Sequence, residues 1–509
     1  MLFQGFKRRL NLSKGEYLLL IIIILAASLV RLWDLDSNGF NNDEAIYSGQ
    51  AASLAGHKEY GEHFSIYRAH PLLLQYFVSV MFANFGISDT IARLVPAILG
   101  IFTVMVTYMI GKILYDKKVA FIAAFVLALL SYHIIVSRQV MLDASLTFFF
   151  TLTLYFFVLH LKKPKEAHWL FLVGASAGLS FLSKEIGIFA LITSIVCLFL
   201  IKGFNFRNII IVASTFVLVS SPYWLPILTI PEAHDAALAY WNWQASRDPN
   251  QSADFYLTLI SQEVLGYILT GLFILSVIYS LATRDISKPS VFILLVWIGI
   301  PLIIFQFLAV KGYAFASPTI TPFVLLGVSF LFSDWMKKLP HHRIFVIGLI
   351  PLIFVFSGPM LHYLFQIPPI QLVGSGGEPY AREGAIWIRD NVPQKGIFLT
   401  IDIRTANVIR YYANNEALSL HSNNNPAYIQ IDNPDLPILN GKIDYLVYET
   451  YLVEQFPYLK EEAKELNQLI IKYSGIPIHT EYETYTDTNG KNLIKPALII
   501  YSLDGIKQD

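Results

Sequence analysis

Residues 17–33 read YLLLIIIILAASLVRLW, and Asn42-Asp43-Glu44 follows about ten residues later. The apolar run is long enough to cross a bilayer, which requires roughly 20 apolar residues. Two adjacent carboxylates therefore lie close to a membrane surface, among apolar neighbours such as Phe40 and Tyr47. A carboxylate in such surroundings can hold a raised pKa and act as a general base, whereas two solvated acids in a loop would have no catalytic role.

The composition of the 509-residue chain is that of a membrane protein. Hydrophobic residues make up 55% of it and charged residues 15%, against about 25% charged in soluble domains. The 37 basic residues equal the 37 acidic ones, which argues against a nucleic-acid partner. The single cysteine, Cys197, excludes a disulfide framework and a thiolate metal site. No small-residue cleavage site follows the first apolar run, so we expect this run to be retained as a membrane anchor.

Apolar runs recur through the first 365 residues and predict an all-α membrane domain of about eleven transmembrane helices. We place these helices at 17–33, 89–112, 119–136, 144–161, 168–183, 185–201, 208–228, 262–282, 290–310, 315–334 and 344–364. The first loop, residues 34–88, is long and carries two predicted interfacial helices, at 45–55 and 71–85.

Basic residues are dense in the loops on one side of this predicted domain and sparse on the other. Because cytoplasmic loops are enriched in Lys and Arg, we expect a multi-pass plasma-membrane protein with a cytoplasmic N terminus. The first loop, with Asp43 and Glu44, would then face outward, and so would residues 366–509.

The composition changes near residue 366, which predicts two domains, 1–365 in the membrane and 366–509 outside it. A flexible linker, Gly374-Ser375-Gly376-Gly377, lies close to this boundary. Sequence patterns beyond it predict a small α/β domain. Its predicted helices cover 380–390, 404–413 and 459–473, and its predicted strands cover 396–401, 443–449, 476–482 and 497–502. The domain carries no nucleotide-binding loop, zinc motif or nucleophile elbow.

Ionisable residues recur at the outer ends of the predicted spans. They are Arg31, Arg93, Arg138, Asp143, Lys184, Glu185 and Lys311. Charges near a membrane are costly and are therefore functional candidates, although snorkelling to the interface would explain any single one of them. Several cations around a few acids suit a lipid-linked phosphate substrate. The cations would neutralise the phosphate, and an acid would accept a proton from an incoming hydroxyl.

Several short motifs in the chain are similar to those of one group of enzymes. They are residues 42–47 (NDEAIY), 70–76 (HPLLLQY), 85–89 (FGISD), 92–94 (ARL), 138–143 (RQVMLD), 178–185 (GLSFLSKE), Lys311 with Pro318, and 387–393 (WIRDNVP). On these residues the sequence resembles the polyprenyl-phosphate-sugar-dependent glycosyltransferases of the GT-C superfold. The closest resemblance is to the protein O-mannosyltransferase-like family, which includes bacterial lipid A aminoarabinose transferases.

This resemblance implies roles for individual residues. Asp43 would be the catalytic base or its electrostatic equivalent, Glu44 would support it, and Asp143 would help to place the acceptor or stabilise Arg138. The implied ligands of the donor phosphate are Arg93, Arg138, Lys184, Lys311 and His70.

Two positions depart from the family pattern. His70 stands where family members often have Lys or Pro, and Phe315 stands where they usually have Tyr.

We predict no cofactor. A divalent metal is the alternative: His57, Glu59, Glu62, His63 and His234 could converge on one, but their spacing is not diagnostic.

The sequence thus predicts an inverting membrane glycosyltransferase. The donor would be a sugar on a polyprenyl monophosphate, and the acceptor a hydroxyl or amine of a lipid, glycan or protein. Two alternatives remain open. One is an oligosaccharyltransferase that moves a glycan from a pyrophosphate carrier. The other is a transporter or non-catalytic scaffold, although transporters tend to show internal repeats with broken helices, and this sequence has no such repeat.

Overall fold

A computed structural model of the chain describes residues 13–67, 70–202, 205–247, 252, 254–307, 316–355, 380–392, 396–422, 431, 433–486 and 491–503. Lys311, Phe315, the glycine-rich linker and the predicted domain boundary lie outside the described residues. The division into two domains at residue 365 therefore stays a prediction.

The described part of the chain before residue 356 consists of helices joined by turns and loops. Its helices are α1 (Lys14–Leu32), α2 (Asn42–Leu54), α3 (Lys58–His63), α4 (Leu73–Phe85), α5 (Asp89–Leu114), α6 (Lys117–Leu129), α7 (Ser131–Ser137), α8 (Leu142–Lys162), α9 (His168–Ser183), α10 (Ile188–Lys202), α11 (Phe206–Thr229), α12 (Pro231–Ser246), α13 (Phe255–Thr258), α14 (Gly266–Ala282), α15 (Pro289–Phe307), α16 (Ala316–Phe330), α17 (Asp334–Lys337) and α18 (His342–Val355). Short 3₁₀ turns at Glu185–Gly187 and Asp285–Ser287 and a π turn at Leu259–Val264 connect some of them.

Six stretches of helix are long and apolar enough to cross a membrane. The number rises to eight if the bent pair α6–α7 counts as one broken span and α13–α14, with the π turn between them, as another. These helices confirm a multi-pass helical membrane protein. The figure of eleven spans stays a prediction, because three of the expected spans correspond to shorter apolar helices, namely α9, the stretch Glu185–Ile201, and α18.

The bend between α6 and α7 is held by a buried arginine. The two helices meet at Leu130 at an angle of 60°, so carbonyls at the end of α6 have no helical partner. Arg31, which is fully buried, donates to the carbonyl oxygens of Ala128 at 2.8 Å and Leu127 at 3.4 Å, and to His133 Nδ1 at 2.8 Å. The hydrogen-bond acceptors around the Arg31 cation are therefore uncharged. The C-terminal ends of α6 and α1, which are the negative ends of the helix dipoles, stabilise its charge.

The C-terminal region forms a small α/β domain, as the sequence predicts. It contains α19 (Ala381–Asn391), β1 (Phe398–Asp402), α20 (Ile403–Tyr412), β2 (Ala417–His421), α21 (Asp435–Leu439), β3 (Tyr445–Glu449), α22 (Thr450–Gln455), α23 (Lys460–Lys472), β4 (Ile476–Thr486) and β5 (Asn492–Ser502). The sheet has the order β2-β1-β3-β5-β4, with β1 parallel to β2 and β3, and β5 antiparallel to β3 and β4. Strand β2 was not predicted, because its sequence, ALSLH, lacks the β-branched and aromatic residues that mark strands.

This domain packs directly on the first loop. One hydrophobic cluster contains Phe40 and Ile46 of the loop together with Ile409 and Tyr411 of α20. Tyr412 donates to Asp89 Oδ2 at 2.6 Å and accepts the backbone N–H of Phe40 at 2.9 Å. The two parts approach so closely that a Cβ atom on Gly39 would lie 2.6 Å from Cβ of Arg382. The C-terminal domain and the first loop therefore lie on the same side of the membrane helices.

The two helices predicted to be interfacial differ in their surroundings. Helix α4 buries Leu74 and Val78 and exposes Val80 and Phe85, as expected of a helix at a membrane surface. Helix α2 is instead buried continuously from residue 44 to residue 52, because α4 and α20 both pack against it. The position of α2 at the membrane surface stays a prediction, and its burial reflects the domain that covers the first loop.

Candidate active site

Helix α2 begins at a capping box that fixes the positions of Asp43 and Glu44. The side chain of Asn41 accepts the backbone N–H of Glu44 at 2.9 Å, and the Glu44 carboxylate accepts the backbone N–H of Asn41 at 3.3 Å. Successive residues of a helix point in different directions. Glu44 is buried here, whereas Asp43 is half-buried. The two adjacent carboxylates therefore have separate environments.

Glu44 is a structural anchor, and Arg93 is its partner. Arg93 donates to both carboxylate oxygens of Glu44, through Nε at 2.8 Å and Nη2 at 2.7 Å. Its remaining N–H groups reach the carbonyl oxygens of Leu35, Asn38 and Gly39 at 2.7–3.0 Å. All five donors of this buried guanidinium are thus engaged by the protein. A direct contact between Arg93 and a donor phosphate, as the resemblance implied, would require several of these bonds to break.

Arg138 has a similar structural role at the end of α1. It donates to the carbonyl oxygens of Val30, Trp33 and Asp34 at 3.1, 2.6 and 3.0 Å. These carbonyls lie at or just beyond the helix C terminus, where they lack helical partners and where a cation is favourable. Asp143 does not contact Arg138; its partner is Lys184. The implied roles of Arg138 as a phosphate ligand and of Asp143 as its stabiliser stay predictions, because these contacts hold Arg138 at the end of α1 and pair Asp143 with Lys184.

Asp43 faces a cluster of charged residues that come from separate parts of the chain. Its carboxylate accepts a hydrogen bond from Asn42 Nδ2 at 2.9 Å. It also interacts electrostatically with His70, Lys184 and Asp143. Burial raises the pKa of Asp43 above its usual value, while His70, Lys184 and the Asn42 hydrogen bond act in the opposite direction. A carboxylate with a raised pKa is a stronger base as long as it remains ionised.

Lys184 is the cation of this cluster that keeps donors for a ligand. It lies at the C-terminal end of α9 and forms an ion pair with Asp143, in the first turn of α8, at 2.9 Å. Its side chain is 20% exposed. Among the described residues the ion pair with Asp143 engages one of its three N–H groups.

His70 belongs to a chain of hydrogen bonds at the edge of the cluster. Its Nδ1 lies 2.9 Å from Glu185 Oε1, and its Nε2 lies 3.3 Å from the hydroxyl of Tyr240 on α12. Gln244 in turn donates to that hydroxyl at 2.6 Å. Burial raises the pKa of Tyr240, so its hydroxyl stays protonated. Both ring nitrogens of His70 therefore already face protein partners, and the chain links α12 to the stretch before α4.

The C-terminal domain reaches the candidate base through two asparagines. Asn407 on α20 is fully buried, and its Nδ2 donates to Asn42 Oδ1 at 2.8 Å. Asn42 then donates to Asp43 Oδ1 at 2.9 Å. Arg410 donates to the Oδ1 of Asn407 at 3.0 Å, which fixes the orientation of that amide. The position of Asp43 thus depends on residues more than 360 positions away in the chain.

The residues named for a divalent metal do not form a ligand group. His57 contacts Glu59 at 3.4 Å. Within the ranges that the structure covers, no three His, Cys, Asp or Glu side chains lie close enough together to hold a metal ion.

Three residues of this site had no assigned role in the sequence analysis. Glu185 stands out in the sequence only as an ionisable residue beside Lys184. Tyr240 lies in an aromatic stretch, residues 240–243 (YWNW), which a membrane interface would explain as well as substrate contact. Asn407 carried no signal at all, because an asparagine in a helical stretch is not distinctive.

Comparison with known proteins agrees with this architecture. Residues 69–225 match the family described as dolichyl-phosphate-mannose-protein mannosyltransferase. An uncharacterised protein of Aquifex aeolicus (strain VF5) is 24% identical over 341 residues, which span 63% of this chain and 65% of that relative.

Among solved structures, ArnT from Cupriavidus metallidurans in the apo state superimposes with a TM-score of 0.69 at 13% identity, covering 95% of this chain and 97% of ArnT. The same protein bound to undecaprenyl phosphate gives a TM-score of 0.68 at 13% identity, covering 97% and 98% of the two chains. The archaeal oligosaccharyltransferase AglB from Archaeoglobus fulgidus, in complex with an inhibitory peptide and a dolichol-phosphate, gives 0.63 at 14% identity, with 95% of this chain and 74% of AglB covered.

These similarities, together with the helical membrane part and its C-terminal α/β domain, define the fold. The chain has the fold of the GT-C superfold of membrane glycosyltransferases, which confirms the predicted superfold. Within that superfold it is similar to ArnT and, over residues 69–225, to the protein mannosyltransferase family.

Proposed function

We propose that this chain is a membrane glycosyltransferase that moves a sugar from a polyprenyl-phosphate carrier to an acceptor hydroxyl or amine. The observation that carries the proposal is the convergence of Asp43, Lys184 and Asp143 at one end of the membrane helices. This cluster offers a base with a raised pKa beside a cation that keeps free donors. The similarity to ArnT bound to undecaprenyl phosphate supports a lipid-phosphate donor.

The proposed reaction is a single displacement. The acceptor oxygen or nitrogen attacks the anomeric carbon as the bond between that carbon and the phosphate oxygen breaks, and the electron pair leaves with the phosphate. Asp43 accepts the proton of the attacking group, so the products are the glycosylated acceptor and the free polyprenyl phosphate. Attack from the side opposite the leaving group inverts the anomeric configuration.

Lys184 is the proposed ligand of the donor phosphate. The phosphate gains negative charge as it leaves, so a cation that contacts it stabilises the transition state more than the ground state. Asp143 would hold the Lys184 side chain in place through the 2.9 Å ion pair. Lys311 stays a predicted second ligand. Arg93 and Arg138 are not part of this proposal, since their donors hold Glu44 and the end of α1.

The proposal also covers the kind of donor and the kind of acceptor. ArnT is covered almost completely by this chain, whereas AglB is covered to 74%. This difference in extent favours a monophosphate donor over the oligosaccharyltransferase alternative. The acceptor would be a lipid, glycan or protein group that approaches from the side of the C-terminal domain.

The experiment compares variants of the purified chain in lipid nanodiscs supplied with polyprenyl-phosphate sugars. Release of free polyprenyl phosphate is the readout. Asp43→Asn keeps the shape of the side chain but removes the base, so we expect the rate to fall about 10²–10⁴-fold. Lys184→Ala removes one charge-assisted hydrogen bond of about 1.5–3 kcal/mol, and we expect kcat/KM for the donor to fall about 10–100-fold.

Asp36→Asn is the matched control, because Asp36 is an exposed acid of the same loop. Full activity of Asp43→Asn would refute the assignment of the base. Wild-type protein that releases no polyprenyl phosphate from any donor, but moves a lipid across the bilayer, would establish the transporter alternative instead. Consumption of pyrophosphate-linked donors alone would establish the oligosaccharyltransferase alternative.

The orientation in the membrane is tested separately. We propose that Asp43 and the C-terminal domain face away from the cytoplasm, because the opposite loops are rich in Lys and Arg. Lys464→Cys on α23 and Lys338→Cys after α17 place exposed thiols on opposite sides, and the native Cys197 is buried. A membrane-impermeant thiol reagent applied to intact cells should label the first variant and spare the second. The reverse pattern would overturn the orientation.

A further inference from the structure

A second site is suggested by a cavity at the opposite end of the membrane helices. It has a volume of about 960 Å³ and lies between the starts of α1, α6 and α18 and the end of α17. Leu19 lines it, whereas Asp43 follows the far end of α1. The 14 residues from Leu19 to Leu32 span roughly 20 Å of helix. The cavity is therefore separate from the proposed donor site.

The lining of this cavity combines cations with apolar side chains. Lys118, Lys337, His341, His342 and Arg343 supply the polar part, and none of the described residues that line it is acidic. Lys337 also contacts Asp334 at 3.2 Å, but both side chains are exposed, so this pair is worth little. Such an excess of positive charge is complementary to an anion.

The apolar part of the lining continues onto the membrane surface of the helices. Leu19, Ile344 and Ile347 line the cavity and are 47%, 69% and 69% exposed. Phe121 and Ile122 also line it. A free inorganic anion would use the cations and leave these apolar side chains uncovered. A molecule with a phosphate group and hydrocarbon chains would cover both.

We propose that this cavity, lined by Lys118, Lys337 and Arg343, binds the phosphate headgroup of one anionic phospholipid whose acyl chains lie along Ile344 and Ile347. The headgroup phosphate accepts hydrogen bonds from the lysine and arginine side chains. The chains pack on the exposed surface of α1 and α18. A bound lipid would join α1, α6 and α18, which come from distant parts of the chain, and so stabilise the membrane part.

Native mass spectrometry of the purified chain in detergent tests this site. Titration with phosphatidylglycerol should show one molecule bound saturably, while phosphatidylcholine should bind at least tenfold more weakly. Removal of one cation near a lipid headgroup costs about fivefold in affinity. We therefore expect Arg343→Ala to weaken phosphatidylglycerol binding about fivefold and Lys337→Ala with Arg343→Ala about 25-fold.

The control variant is Lys338→Ala, which removes an equal charge from an exposed position beside the cavity but outside its lining. It should leave binding within twofold of wild type. Equal losses for Lys338→Ala and Arg343→Ala would overturn the proposal in favour of a general attraction to the basic surface. Competition by millimolar inorganic phosphate as strong as that by phosphatidylglycerol would identify a free anion as the ligand and also overturn it. Neither outcome affects the proposed glycosyl transfer, because that proposal rests on Asp43 and Lys184, which do not line this cavity.

Discussion

Replacing Asn42 by alanine should shift the pH dependence of the proposed reaction without removing any reacting group. Asn42 donates to Asp43 Oδ1 at 2.9 Å and accepts from Asn407 at 2.8 Å. The hydrogen bond to Asp43 stabilises the ionised carboxylate and therefore lowers its pKa, against the upward effect of burial. Its loss should raise the pKa of Asp43 further.

The size of the shift follows from the strength of that bond. A hydrogen bond to a charged group contributes about 1.5–3 kcal/mol, and one pKa unit corresponds to about 1.36 kcal/mol. Asn42 is half-buried, so water can replace part of the bond, and we expect a shift of about one unit. Because the base must be ionised, activity is present above this pKa and is lost as the pH falls through it.

The assay is kcat/KM for the donor measured from pH 4.5 to 9 in nanodiscs. The acidic limb of the Asn42→Ala profile should lie about one unit above that of wild type, and the two rates should converge at high pH. Asn407→Ala should move the limb in the same direction by a smaller amount, because it acts through Asn42. Asn38→Ala, in the same loop but without a contact to Asp43, is the matched control.

A uniform loss of rate at every pH would refute this reasoning, because it would indicate displaced structure and not a changed pKa. An unchanged acidic limb in Asn42→Ala would show that Asp43 is not the titrating base. Melting temperatures of the three variants separate these outcomes from misfolding. Asn407→Ala deserves particular care, since it leaves Arg410 without one of its acceptors.

Two further predictions concern buried carboxylates with structural roles. Arg93→Ala leaves Glu44, which is 1% exposed, without its counterion. We therefore expect the free energy of unfolding to fall by about 3–5 kcal/mol and the KM for the donor to stay unchanged in the protein that still folds. A normal melting temperature with a tenfold higher KM would instead indicate that Arg93 is a phosphate ligand. Burial raises the pKa of Glu449 to about 8 from 4.5. Between these pH values the folded domain holds a proton that the unfolded chain releases, so stability should fall by up to about 1.4 kcal/mol per pH unit as the pH rises, and Glu449→Gln should flatten this dependence in melting curves at pH 5 and 8.

Local sequence patterns were sufficient for the class of protein and for the candidate base. A hydrocarbon layer demands long apolar helices, so their approximate positions can be predicted from composition alone. Three of the five helices and four of the five strands described in the C-terminal domain follow from sequence patterns in the same way. Asp43 was identifiable because a carboxylate directly after a membrane span is rare and because the motif around it resembles that of a family.

The roles of the cations were decided by tertiary structure. Sequence shows that Arg93, Arg138 and Lys184 lie at the ends of spans, but an arginine there can bind a ligand, a carboxylate or helix carbonyls equally well. Arg93 meets Glu44, Arg138 meets the end of α1, and Lys184 meets Asp143 and stays near Asp43. These partners come from distant segments, so spacing along the chain contains no information about them.

What the sequence determined by itself is therefore the apolar helices, the α/β domain and the place of Asp43 shortly after the first apolar helix, because each depends on near neighbours in the chain. The surroundings of Asp43 were decided only by the tertiary structure. Burial of α2 under α20, the link from Asn407 through Asn42, and the chain from Gln244 to Glu185 all join segments separated by dozens to hundreds of residues. The pKa and position of a catalytic group depend on such contacts, because desolvation and hydrogen bonding act through space and not along the chain.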